Sequence, residues 1–359
     1  MKRILILMLV PVSLLLTLYA RFNLGFAEFY ALKIYPVFAG VISSFSSKIR
    51  FSLAEFIIIV LIITILIYFL VTLTETIKKR SPRYFKSFFL NIASLLSVIY
   101  FLFVLFCGIN YHRHEFTYYS GLEIKESSTE ELINLCEILI NDANKTRARL
   151  TTSSDGTADL LDTDYSGTSE RAQKAFDKIS GKYDVLKGNY PPPKLVKFSN
   201  AMSHMQITGM FFPFTFEANV NADIPPYQVP SVMLHELSHL RGFMREDEAN
   251  FISYLACINS GFDDFAYSGT MLALNYSMNS LYHEDYDAFL SLYDKYSEDV
   301  RNDLKYSSNY WKQFETKVAE ISSKVNDSYL KANNQDDGVK SYGRMVDLLL
   351  SYYSHSSEY

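Results

Sequence analysis

Residues Phe51 to Leu73 read FSLAEFIIIVLIITILIYFLVTL, an apolar run broken by one charge, Glu55. A helix needs about 20 apolar residues to cross the hydrocarbon core of a bilayer. A helix packed on a water-soluble core keeps a polar outer face, and this run has none. Ile4–Ala20 and Phe88–Ile109 are two further runs of the same kind. Ile4–Ala20 follows Lys2 and Arg3 as a secretory leader would, but Pro11 interrupts it and no small-x-small cleavage site follows. It therefore reads as an anchor. The expectation is a membrane domain over residues 1–110 with three transmembrane helices at about 4–20, 51–73 and 88–109, and a second domain over residues 111–359.

Charge sets the orientation. Lys2 and Arg3 flank the first run, and Lys78, Lys79, Arg80, Arg83 and Lys86 lie between the second and third. Cytoplasmic loops carry such an excess, so both regions are expected inside the cell. Three spans then carry everything after Asn110 to the opposite face. The reading is a multi-pass cell-membrane protein with an extracytoplasmic domain. Arg21–Arg50 becomes an outside segment lying on the membrane surface.

The remainder is rich in Tyr, Ser, Asp and Lys. A formal net charge of −5 and the lack of a long basic run argue against a nucleic-acid partner. Cys107, Cys136 and Cys257 make no disulfide framework, although Cys136 and Cys257 could pair outside the cell. Thr129–Arg149 reads as a helix capped by Ser128, Thr151–Ser169 as a loop, and Lys194–Phe198 and Met210–Val220 as strands. Helical spacing returns over Thr270–Tyr282, Asp285–Lys295, Asn309–Leu330 and Gly338–Tyr353. The fold class is α+β and mostly helical, with a small sheet.

The chemistry concentrates in SVMLHELSHLRGFMREDEANFISYLAC, Ser231 to Cys257. Met233, Leu237 and Leu240 fall on one helix face, while His235 and His239, four apart, project side by side from another. Two imidazoles so placed can reach one Zn²⁺, which takes nitrogen and carboxylate ligands and, when catalytic, keeps a position for water. Glu236 follows the first histidine and suits a general base for a zinc-activated water. Gly242 permits a turn before a second helix. There Glu246 is the preferred third ligand, Asn250 a partner for a ligand imidazole, and Glu248 the alternative ligand.

These strings resemble the zincin type of zinc metallopeptidase, in its glutamate-liganded group. Asn250 stands where many relatives carry Asp, and Asn can still accept a hydrogen bond. A closer resemblance is to the bacterial family catalogued as domain of unknown function 3810. It is carried by Phe212–Asn221, the His235-Glu-x-x-His239 helix with Arg241 and Gly242, Glu246–Phe251, and Asp336–Gly343. The resemblance implies membrane helices followed by a zincin-like catalytic domain. It implies a substrate strand through Phe214 that pairs with an extended peptide, with Glu217 and Asn221 either lining the cleft or facing solvent. It also implies a donor to the developing oxyanion. Tyr342 is preferred for that role over His283 and His204.

The expectation is a membrane-anchored zinc metallopeptidase acting on a peptide or protein substrate. The alternative is a non-catalytic membrane-anchored sensor or binding module that retains a zincin fold.

Overall fold

Ser52 begins the longest helix by accepting a hydrogen bond from the Glu55 main-chain N–H at 3.0 Å, and Arg80 ends it in the left-handed region at φ 45°. Between them the apolar run forms one helix, Leu53–Lys79. The structure is a computed structural model that describes residues 2–162, 165–335, 338 and 344–356.

The chain divides into two units. The first holds the residues up to Arg113 together with Phe212–Glu217. Its helices are α1 (Lys2–Leu7), α2 (Leu9–Phe22), α3 (Leu24–Phe29), a π turn over Tyr30–Ile34, α4 (Tyr35–Ser46), α5 (Leu53–Lys79) and α6 (Arg83–Phe106). α5 and α6 form a hairpin. Asn91 Nδ2 on α6 donates to the Tyr68 hydroxyl on α5 at 2.7 Å, and Tyr68 and Phe69 pack on Phe88. Among the described residues four helices, not three, are long and apolar enough to cross a membrane: Arg3–Phe22, Leu24–Ser46, Leu53–Lys79 and Arg83–Phe106. The added one has a mean hydropathy of 1.3 against 3.2 for α5, because Gly, Pro, Ser, Tyr and Lys dilute its apolar residues.

The second unit holds His114–Phe211 and Ala218 onward. Its helices are α7 (Phe116–Ser120), α8 (Thr129–Arg147), α9 (Tyr165–Ser180), α10 (Ser199–His204), α11 (Val229–Leu240), α12 (Glu246–Ile258), α13 (Asp263–Glu284), α14 (Tyr286–Tyr293), α15 (Glu298–Lys312), α16 (Lys317–Ala332) and α17 (Met345–Ser356). The core is α11, α12 and α13 with α8 against α13. Met233, Leu237 and Leu240 on α11 and Ala249, Ile252 and Leu255 on α12 are buried there. The Ser128 capping box at the start of α8 is formed, with Glu131 as its partner.

Where sequence expectation and structure differ, local chemistry explains it. The helix expected over Asn309–Leu330 is α15 and α16, because the Thr316 side chain starts a new helix by accepting from Ala319 N–H. The loop expected to Ser169 gives way to α9 at Tyr165. The strand expected over Met210–Val220 is two strands. β1 (Lys194–Val196), β2 (Gly209–Phe212) and β3 (Glu217–Asn221) form one sheet in the order β1-β3-β2, with β1 parallel to β3 and Lys194 opposite Asn219. β3 is therefore central and β2 is an edge. The chain is mostly helical, with a small sheet and apolar N-terminal helices.

Candidate metal centre

α11 begins at Val229 with Pro230 in its first turn, where a missing N–H costs no helical hydrogen bond. Two serines seat it on its neighbours. Ser231 N–H donates to Ser268 Oγ at 2.9 Å, and Ser253 Oγ donates to the Ser231 carbonyl at 2.6 Å. His235 and His239 project from this helix with their Nε2 atoms 3.0 Å apart.

The helix ends at Leu240, and Gly242 takes φ 86°. That conformation strains residues with a Cβ. It closes the turn with Phe243 N–H on the Ser238 carbonyl at 3.2 Å and brings the Phe243 carbonyl back to His239 Nδ1 at 2.8 Å. Arg241 braces the turn. Its guanidinium donates to the Leu186 and Leu237 carbonyls and lies over the Phe176 ring at 3.9 Å.

α12 starts at Glu246, whose N–H donates to Gln335 Oε1 at 3.2 Å. Glu246 Oε2 lies 3.1 Å from His235 Nε2 and 3.6 Å from His239 Nε2. One turn on, Asn250 Oδ1 meets His235 Nδ1 at 2.7 Å, while its Nδ2 donates to the Tyr276 hydroxyl at 3.3 Å. Glu248 turns elsewhere. It accepts from the Phe116 main-chain N–H, and the neighbouring Arg245 pairs with Glu115.

These contacts assign the protons. A carbonyl only accepts, so His239 Nδ1 carries N–H toward Phe243. Asn250 Oδ1 likewise only accepts, so His235 Nδ1 carries N–H toward it. In the neutral imidazoles both Nε2 atoms are then lone pairs. The ligand atoms of His235, His239 and Glu246 all lie within 4.8 Å of one another. Three acceptors facing one another repel unless a positive charge joins them.

Without a metal, a proton on His239 supplies that charge. Burial favours neutral His239, but Glu246 outweighs it and holds the imidazole up to about 9. Burial alone would raise Glu246, yet His239 and His235 keep its carboxyl well below the usual range. Glu248 is pushed up to about 7 by burial, against the pull of Arg245.

Glu236 lies beside the cluster and is 4% exposed. Burial raises its carboxyl, with His235 and His239 pulling the other way. It accepts from the Phe211 N–H of β2, while Oε2 has no partner among the described residues. Gly209 gives it room, since a Cβ there would sit 2.4 Å from Oε1. The Phe211 ring lies 6.5 Å from that of His239.

The expected substrate strand is placed differently. Glu217 is 1% exposed and caps α5, accepting from Leu53 N–H at 3.2 Å and Ala54 N–H at 2.8 Å. Asn221 is buried and donates to Ser203 Oγ at 2.9 Å and the Ile207 carbonyl at 3.0 Å. Phe214 packs on Phe212 in the turn between β2 and β3. The strand beside Glu236 is β2. His204 packs on Phe314 and His283 on Tyr282, and neither joins the cluster. Tyr342 lies outside the described residues.

Sequence reading passed over Gly209, Phe211, Phe243 and Gln335. Only Gln335 had a signal, its position next to the Asp336–Gly343 string.

A family described as "Protein of unknown function (DUF3810)" matches residues 30–350, which include both helices of the cluster. No curated protein and no solved structure matches the chain. The match spans most of the sequence, so the chain belongs to the DUF3810 family.

Proposed function

We propose that this protein is a membrane-anchored zinc-dependent peptidase with its centre on α11 and α12. The observation that carries the reading is the convergence of His235 Nε2, His239 Nε2 and Glu246 Oε2 while both Nδ1 atoms are already committed as donors. Two imidazole nitrogens and one carboxylate oxygen suit zinc and leave a fourth position for water. The unpartnered Oε2 of buried Glu236 supports a group or water in that space. The zincin likeness adds support at the level of these residues.

Bound zinc would supply a Lewis acid that polarises a carbonyl and makes water acidic near neutral pH. Glu236 is the base that takes a proton from the attacking water and returns it to the departing amine nitrogen. The Phe211 N–H and the bare Cα of Gly209 hold its carboxylate in position. Asn250 and the Phe243 carbonyl orient the two imidazoles. Edge strand β2 offers main-chain groups to an extended peptide, which favours a peptide or protein substrate.

We infer that the centre works outside the cytoplasm. Arg3 donates to Ser87 Oγ at 3.1 Å, so the N-terminal cations share one end of the first unit with Lys78–Lys86. The chain leaves that unit from the opposite end, after α6. The cation-rich end is cytoplasmic by charge bias.

The test is Glu236→Gln in the full chain, assayed on a mixture of unstructured peptides. Zinc should stay bound while cleavage falls by about 10²–10⁴. Undiminished cleavage would sink the proposal. Zinc bound to a parent that cuts nothing would favour a non-catalytic binding module.

A further inference from the structure

Leu24–Ser46 is 23 residues long and about 35 Å end to end, enough to cross a bilayer. We propose that it does not cross, and instead lies in the plane of the membrane, in the leaflet at the end of the first unit opposite the Lys78–Lys86 cations, with lipid acyl chains as the partner of its outer face. The inference rests on contacts inside the first unit and does not depend on the metal reading.

Both ends of the segment are tied to one end of the bundle. That end is marked by the last turn of α6, by the start of α5, and by Phe216, which packs on Phe106 while Glu217 caps α5. The segment enters at Asn23, which caps α3 by accepting from Phe26 N–H at 2.9 Å. From there the Tyr30 hydroxyl donates to the Leu105 carbonyl at 2.7 Å, Tyr35 packs on Phe216 at 5.5 Å, and Phe38 packs on Phe106 at 5.4 Å. A helix descending from Asn23 would put Phe38 about 22 Å deeper, beside the middle of α6. Phe38 meets the last residue of α6 instead.

The exit gives the same answer. The segment from Ser46 to Leu53 extends at most about 24 Å, short of the roughly 30 Å hydrocarbon core. A spanning Leu24–Ser46 could not return in time to start α5 at the Glu217 cap. Spanning would also leave the Lys78–Arg80 cations outside, against the charge bias.

Sequence suits the in-plane position. Ala27, Ala31, Tyr35, Ala39 and Ser43 are buried in steps of four. Such a row drifts about 40° per step around a regular α-helix. The wider π turn at Tyr30–Ile34 takes up part of that drift, next to Pro36, which has no N–H to give. The opposite side presents Phe29, Leu32, Val37, Val41 and Phe45, between 41% and 67% exposed. Lys48 and Arg50 follow at the end, where headgroups would meet them.

Impermeant maleimide labelling of the full chain in sealed cells tests this, with the native cysteines replaced. Lys48→Cys should react from outside, as Lys125→Cys does, while Arg80→Cys reacts only after permeabilisation. K48C reacting only together with R80C would overturn the proposal. As a second readout, Val41→Trp with Trp311→Phe in vesicles of brominated lipid should lose emission. V41W unquenched by any acyl position would equally overturn it.

Discussion

Gly209→Ala isolates the part of the proposal that distinguishes a hydrolase from a mere metal site. The added Cβ would lie 2.4 Å from Glu236 Oε1, 2.8 Å from Cγ and 2.9 Å from Cδ. Relief to ordinary contact requires the carboxyl to move by about 1 Å, and overpacking of this kind costs roughly 1–3 kcal/mol. The three atoms nearest the added Cβ all belong to Glu236, so its carboxyl takes the strain first. A displacement of about 1 Å in a catalytic group can cost on the order of 100-fold in rate. The expected variant therefore binds zinc like the parent, is modestly less stable, and cleaves peptide about 100-fold more slowly, mainly through kcat. The assay is cleavage of a fluorogenic peptide found with the parent, alongside zinc content and chemical denaturation of the full chain in detergent. Parent-level turnover in a stable, zinc-loaded G209A would refute the claim that the Glu236 carboxylate acts from this position.

Asn250→Ala removes the acceptor that fixes the His235 tautomer and should weaken zinc binding by about 10–100-fold in chelator competition, whereas unchanged affinity would count against the ligand assignment. Zinc binding must displace the proton that His239 holds up to about 9, so affinity should rise steadily from pH 6 toward 9, and a flat profile would contradict the cluster. With zinc chelated, the raised His239 contributes stability that is full below its unfolded value of 6.5 and lost as pH rises through about 9. The depressed Glu246 contributes stability above its unfolded value of 4.5 that is lost on acidification, so thermal melting should peak between these limits. Glu217→Ala uncaps α5 and should cost about 1–2 kcal/mol in the membrane unit with no change in zinc content; an unaltered denaturation midpoint would show the cap to be unimportant.

Much of this was legible in sequence because it depends on local spacing. His235 and His239 converge because residues four apart share a helix face. Gly242 reads as a turn because left-handed backbone favours it. The long apolar runs declare themselves by length alone. What stayed hidden depends on distant partners. Glu217 caps α5 across a sequence separation of 163 residues, and nothing in Phe-Glu-Ala-Asn announces a helix cap. β2 is only GMFF, too short for alternation to identify it as the strand beside Glu236. Leu24–Ser46 hid its helix behind Gly25, Pro36 and Gly40, which lower hydropathy without breaking the helix.

The zinc content of the purified full chain, by elemental mass spectrometry beside His239→Ala and Glu246→Ala, tests the central claim most directly. About one zinc per parent chain and little in either variant is the expected result for a three-ligand centre. A folded parent without zinc, or variants that retain it in full, would contradict the assignment.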